Sequence, residues 1–244
     1  MSLVPVTEEQ KKSPLYEYYL RDIKPVPPEL LGQIMGGTFN DEDVLLCEDK
    51  DKLFDEGYLP GEFGVFKLPG EGYSIANLTK MPGVTPEMFD WWFAWHGLDP
   101  FRYAIWDKED HYHCLTRNPE ISLDSSLSMR ERYWHTTHDV SESLMGEDEP
   151  RQAALTFLPP VEFGFDPEKY AAFDGTIVCT RGMCHFLRPV EGGCELRTRF
   201  WFDMPGFPEI AARMFLAHCV KEFTHLAEIL PELYEKYKDQ FEVF

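Results

Sequence analysis

The spacing of apolar and polar positions changes character along the chain. Over the first seventy residues no period holds, and "IKPVPPELL" and "YLPGEFGVFKLPGEGY" read as extended segments and turns around short helical pieces. Residues 1–72 are therefore expected to form an N-terminal appendage that wraps or pairs, without a core of its own. From "YSIANLTKM", a predicted strand, the pattern becomes regular. In "GVTPEMFDWWFAWHGLDP" a helix is punctuated at both ends: Thr85 as N-cap, Pro86 at the first helical position, Gly97 at the close, and Pro100 forbidding continuation. "RYAIWD" reads as a strand, followed by "KEDHYHCL". Beyond an acidic loop around "MGEDEPR", the segments "QAALTFL", "TIVCTRG", "CHFLRPV" and "ELRTRFWFDM" read as antiparallel strands. The last alternates cleanly, with Leu196, Thr198, Phe200 and Phe202 on one face and Arg197, Arg199, Trp201 and Asp203 on the other. "PGFP" breaks the chain, and a helix is predicted from about Pro208 to Lys236. Strands followed by one long terminal helix give an α+β layout for residues 73–244, the helix packing on a curved antiparallel sheet.

On that helix, Arg213, Lys221, Thr224, Glu228 and Glu232 fall within a sector of about 100°, which reads as the wet face. Ala212, Leu216, Cys219, Phe223, Leu226 and Leu230 lie opposite. Glu222 falls on the buried side, His218 on its flank, and His225 closer to the wet face. A carboxylate on the core side needs a charged or hydrogen-bonding partner. Two readings answer this. One is a salt bridge to Arg197, Arg199 or His218 itself. The other is a metal, because residues at i and i+4 project side by side and H-x-x-x-E can offer a nitrogen and an oxygen to one ion. That pattern is common by chance and needs partners elsewhere. "EDHYHC" offers His111 and His113, which share a face if the segment is extended, or else stand on a surface loop. "YWHTTHDVSESL" offers His135 and His138, expected to hydrogen-bond at the surface, and Glu142, which carries no signal by itself. His96 and His185 read as structural.

Composition narrows the field of partners. The formal net charge of -20 and the lack of any Lys/Arg run argue against nucleic acid and anionic membranes. No apolar run is long enough for a transmembrane helix, and the N-terminus has no signal-peptide pattern. Six cysteines without a C-x-x-C pair read as reduced thiols, and the expected compartment is the cytoplasm. An aromatic share of 15% suits a ring-lined interior. Nucleophile elbows and phosphate loops are missing from the sequence.

"TPEMFDWWFAWHGLDPFRYAIWDKEDHYHC", together with "HCVKEFTHLAEILPELY", resembles the phloretin and 2,4-diacetylphloroglucinol hydrolase family, whose hallmark is a Trp-rich block ending in "EDH". The resemblance spans most of the chain after about residue 70. It implies a helix-grip (START-like, pollen-allergen-like) domain, a catalytic Zn2+, and hydrolysis of the carbon–carbon bond between an acyl group and a polyhydroxylated aromatic ring. It selects His111 over His113 as a zinc ligand and assigns Glu142, His218 and Glu222 as the others. Glu222 is further expected to be labile, as a weak ligand or a proton shuttle. Tyr103, the tyrosine of "DPFRY", matches a residue that hydrogen-bonds the substrate. Cys114 stands where members acting on diacetylphloroglucinol carry a substrate-binding asparagine, a departure that bears on the substrate more than on the reaction class. Relatives suggest a homodimer. The alternatives are a non-catalytic helix-grip carrier of a flat hydrophobic ligand and, from H-x-H, a cupin-like metal oxygenase.

Overall fold

The computed structural model describes residues 3–145 and 149–242, so residues 146–148 of the acidic loop around "MGEDEPR" lie outside the described residues. Its framework is one antiparallel sheet of eight strands, β1 (Gly64–Lys67), β2 (Tyr73–Pro82), β3 (His111–Thr116), β4 (Thr137–Glu142), β5 (Arg151–Leu158), β6 (Thr176–Thr180), β7 (Met183–Val190) and β8 (Gly193–Phe202). They are ordered β1-β2-β8-β7-β6-β5-β4-β3. Two meanders, β3 to β5 and β6 to β8, meet through a short junction that pairs Phe157 with Thr180 and Leu158 with Cys179. β2 returns along β8 from Tyr73 opposite Phe202 to Pro82 opposite Gly193. The layout is α+β, with a curved antiparallel sheet and one long C-terminal helix, as the periodicity predicts.

That helix, Glu209–Tyr237, buries the predicted stripe completely: Ala212, Leu216, Cys219, Phe223, Leu226 and Leu230 have no exposed surface. Each large apolar side chain removed from water here is worth about 1.5–3 kcal/mol. The helix Pro86–Trp95 starts as expected, with the Thr85 hydroxyl accepting from the Met88 amide at 3.3 Å. It buries Trp91, Trp92 and Trp95 fully, and Trp91 and Trp95 stack with centroids 4.7 Å apart.

Two local expectations fail. "RYAIWD" is no strand: Pro100–Ala104 is a short helix, because the Asp99 side chain caps the Phe101 amide at 2.9 Å and Pro100 sits at the first helical position. A cap and a proline outweigh the β-like composition of the residues that follow. The wet face of the long helix is also narrower than its polarity suggests. Lys221 and His225 are buried, because the turn at 107–110 and the N-terminal segment cover that side. Lys221 Nζ meets Asp107 at 3.0 Å and Glu109 at 3.1 Å, and Tyr18 and Arg21 hydrogen-bond Glu232 at 3.0 and 2.8 Å.

The N-terminal part packs on both sides of the sheet. Val4, Leu15, Tyr18, Tyr19, Val26 and Ile34 belong to the same core as the long helix. Residues 45–62 cover the outer face of β8, where Arg199 and Arg197 are buried against Glu62 with contacts of 2.6 and 3.1 Å. The two arginines are thus occupied at a distance from Glu222, and neither is its partner. Among the described residues, no helix is long and apolar enough to cross a membrane, and all six cysteines are free thiols.

Candidate active site

Three elements bring the site together: the start of β3, the end of β4, and the middle of the long helix. His111 lies opposite Glu142 in the β3–β4 ladder, but His113 lies opposite Ser141, so the register shifts between the two histidines. Side chains alternate along a strand, and a bulge changes the parity. His111 therefore shares a face with Glu142, Val140 and Cys114, while His113 goes with Ser141 to the other face. The H-x-H expectation of two histidines on one face is overturned by this bulge. His111 is fully buried and His113 only half-buried.

From the helix, one turn apart, come His218 and Glu222. His111 Nε2 lies 3.4 Å from Glu222 Oε2 and 4.0 Å from Glu142 Oε2, and His218 Nε2 lies 3.8 Å from Glu222 Oε2. All four sequence-derived candidate ligands thus converge. The far nitrogens of the rings are engaged: His111 Nδ1 lies 3.3 Å from the Tyr103 carbonyl oxygen, and His218 Nδ1 lies 3.4 Å from Asp110 Oδ2. With Nδ1 donating, each ring directs Nε2 inward, the arrangement that orients imidazoles toward a metal. His111 Nε2 is buried and has no hydrogen-bond partner. A tetrahedral ion with ligands at about 2.0–2.2 Å has ligand–ligand edges of about 3.4 Å, near the 3.4–4.0 Å separations here, so these nitrogen and oxygen donors could hold a metal ion. Asp107 also approaches His218, but toward Nδ1 at 4.0 Å, and Lys221 holds it at 3.0 Å.

Electrostatics follow from burial and the crowding of acids. Burial pushes the Glu222 carboxyl up, and Glu142 adds to this against the pull of His218. Burial disfavours a charged His218, but Glu222, the Asp110 hydrogen bond and Glu142 outweigh it and raise its pKa. Burial and the neighbouring His218 hold His111 well below the usual imidazole range, so it stays neutral with a free lone pair. The Tyr103 hydroxyl hydrogen-bonds Glu142 Oε2, and its ring stacks on His111 with centroids 3.9 Å apart. Burial raises its pKa far enough to keep the phenol protonated and a donor.

A cavity of about 230 Å³ opens beside the cluster, bounded by Glu142, His218 and Glu222 and by the rings of Phe93, Tyr103, Trp106 and Phe157. Cys114 lines it too. So do three histidines whose place the sequence did not reveal: His96, His138 and His185. His138, expected at the surface, is buried, because it shares the inward face of β4 with Val140 and Glu142 and its ring packs 4.8 Å from Phe157. The period-2 spacing of His138, Val140 and Glu142 in "THDVSE" carried that information. His135 is exposed as expected and meets Glu162 at 3.4 Å. His185 hydrogen-bonds Thr198 Oγ1 at 3.0 Å, and burial pushes its pKa down to about 3.

A cluster of imidazoles and carboxylates at the wall of a ring-lined cavity forms a site with room for a small molecule. Comparison with known proteins makes this specific. The model of the DAPG hydrolase PhiG domain matches residues 45–205 and 203–235. A phloretin hydrolase of Eubacterium ramulus is 34% identical, over 98% of this chain and 95% of its own length. A 2,4-diacetylphloroglucinol hydrolase of Pseudomonas protegens is 28% identical, over 91% of this chain and 84% of its own. A solved structure from Nitrosomonas europaea aligns with a TM-score of 0.38 at 15% identity, covering 65% of this chain and 94% of that one. The chain belongs to the DAPG hydrolase family and is a hydrolase, which displaces the carrier alternative.

Proposed function

We propose that the protein is a Zn2+-dependent hydrolase that cleaves the carbon–carbon bond between an acyl group and a polyhydroxylated aromatic ring. The products are a polyphenol and a carboxylic acid. The observation that carries this reading is the convergence of His111, Glu142, His218 and Glu222, with the last three lining the cavity and the buried His111 Nε2 making no hydrogen bond. The substrate class is supported by relatives that bear the names phloretin hydrolase and 2,4-diacetylphloroglucinol hydrolase. On the same reading the sheet and long helix are of the helix-grip type, and the free thiols suit a reducing compartment such as the cytoplasm.

When bound, Zn2+ would supply Lewis acidity and make water a nucleophile near neutral pH. The protein's own groups do the rest. Aromatic side chains hold the ring flat and exclude bulk water. The Tyr103 hydroxyl, kept protonated by burial, turns its proton from Glu142 to a substrate oxygen and orients the ketone. Glu222, buried at the cavity wall one helical turn from His218, takes the proton that the attacking water gives up and passes it to the ring carbon. Water adds to the acyl carbon, the bond from acyl carbon to ring carbon breaks, and the ring carbon leaves with that proton. A ring with 1,3-dihydroxy substitution makes such a carbon a workable leaving group through its keto tautomer.

The test combines elemental analysis with turnover of acylated phloroglucinols, followed by free acid release. The wild-type protein is expected to hold one zinc per chain, and His218→Ala to lose it with a fall in kcat/KM of about 100-fold or more while circular dichroism is retained. Wild-type protein purified without chelator and lacking stoichiometric zinc, or a variant that keeps zinc and turnover, refutes the assignment.

A further inference from the structure

Beside the candidate ligands, the same cavity is lined by His96, Cys114 and His138, none of which the reaction above employs. All three are buried, and one ligand-type atom from each lies within 4.8 Å of the other two. The rings of His96 and His138 stand 5.4 Å apart at 70°. Their surroundings fix their tautomers. His96 Nδ1 lies 2.8 Å from the Trp92 carbonyl oxygen, which can only accept, so Nδ1 carries the proton and Nε2 keeps a lone pair. Cys114 Sγ lies 3.6 Å from His138 Nδ1. Burial keeps that thiol protonated, so its S–H donates to Nδ1 and the His138 proton sits on Nε2. His138 Nε2 is buried with no hydrogen-bond partner. Room for this ring is built into the chain: a Cβ at position 97 would lie 2.3 Å from His138 Cε1, and residue 97 is glycine.

We propose that His138 and His96 form a hydroxyl-reading pair, in which one phenolic hydroxyl of the substrate ring accepts from His138 Nε2–H and donates to His96 Nε2. This rests on the hydrolase reading for its substrate class and assigns specificity to two residues outside the ligand set. The chemistry is selective because a hydroxyl both donates and accepts. A ring lacking that hydroxyl leaves both nitrogens unpaired, and a methyl ether there cannot satisfy His96. Cys114 acts through His138, as the group that sets its tautomer.

The experiment compares kcat/KM for a 2,4,6-trihydroxyphenyl ketone with analogues that each lack one ring hydroxyl or carry it as a methyl ether. Zinc content is measured in parallel. Wild-type protein is expected to prefer the parent over at least one analogue by about 100-fold. His138→Leu and, independently, His96→Leu are each expected to collapse that preference to about threefold or less, mainly by raising KM for the parent, with one zinc per chain retained. His138→Gln, which keeps an N–H donor, is expected to recover part of the preference. A preference unchanged in both leucine variants overturns the pair. So does a second equivalent of metal in the wild type that His138→Leu removes, since the three residues would then be a cation site. Wild-type protein that hydrolyses none of these ketones fails the hydrolase reading instead.

Discussion

Asp110 accepts a hydrogen bond from Ser143 Oγ at 2.5 Å through one carboxylate oxygen, and through the other from Lys221 Nζ at 2.5 Å and His218 Nδ1 at 3.4 Å. Its carbonyl oxygen also takes the Ser143 amide at 2.9 Å. One side chain next to His111 thereby ties down the residue after Glu142 and the helical turn that carries His218 and Glu222. Burial alone would raise its pKa, but His218 and Lys221 more than reverse this and keep it ionised. Asp110→Asn keeps the shape and removes the charge. It is expected to weaken zinc binding about 10–100-fold with secondary structure intact, as read by competition with a chromogenic chelator; unchanged affinity would show that the hub is dispensable. The sequence showed Asp110 only as the middle residue of "EDH"; its role as a hub was not legible, because its partners lie 33 and 108 residues away. His218 and Glu222 could be read as a pair because four residues on a helix is a local distance. The same limit hid Lys221, whose polarity placed it in water while the fold gave it three acids.

At the scale of elements, β8 shows what period alone can tell. Its alternation was legible, and Phe200 and Phe202 do face the long helix, packing on Phe215 at 4.6 and 5.3 Å. The arginines opposite, offered by the sequence as partners for Glu222, are instead covered by residues 45–62, and Glu62 pairs with both. Burial acts to raise the Glu62 pKa, but the Arg197 hydrogen bond, the Arg199 charge and the Leu59 amide prevail and lower it. A carboxylate with a depressed folded pKa contributes stability that is fully present above its unfolded value of about 4.3 and is lost as pH falls toward the folded value. Glu62→Gln is thus expected to cost about 3 kcal/mol at pH 7, as expected when one partner of a buried ion pair is removed. That deficit should shrink as pH drops below about 4.3. Urea unfolding at both pH values measures it, and a deficit independent of pH would mean packing, not charge, is the cause.

For the molecule as a whole, the N-terminal residues bear on the same core as the site. Leu15 and Ile34 have no exposed surface, and Arg21 pairs with Glu232 on the long helix at 2.8 Å. Removing residues 1–26 takes away the buried Leu15, Tyr18 and Tyr19 and bares the core they cover, a loss of about 5 kcal/mol or more at 1.5–3 kcal/mol for each large side chain. Calorimetry should show a lower Tm and reduced soluble yield; an unaltered transition would establish the segment as separable. Its contribution was not legible because short irregular pieces have no period, and their apolar residues find partners only in three dimensions. The Trp-rich block, by contrast, announced the family from sequence although Trp91, Trp92 and Trp95 are fully buried packing residues and none of them is a candidate ligand. The β3 bulge has a consequence for tracing this site through other chains. The strand holds one residue more than its partner requires between His111 and Cys114, so the same faces could be kept by a chain one residue shorter. The trustworthy coordinate for the histidine is therefore its neighbour across the ladder, Glu142. Counting along the strand can shift by one and land on the wrong imidazole.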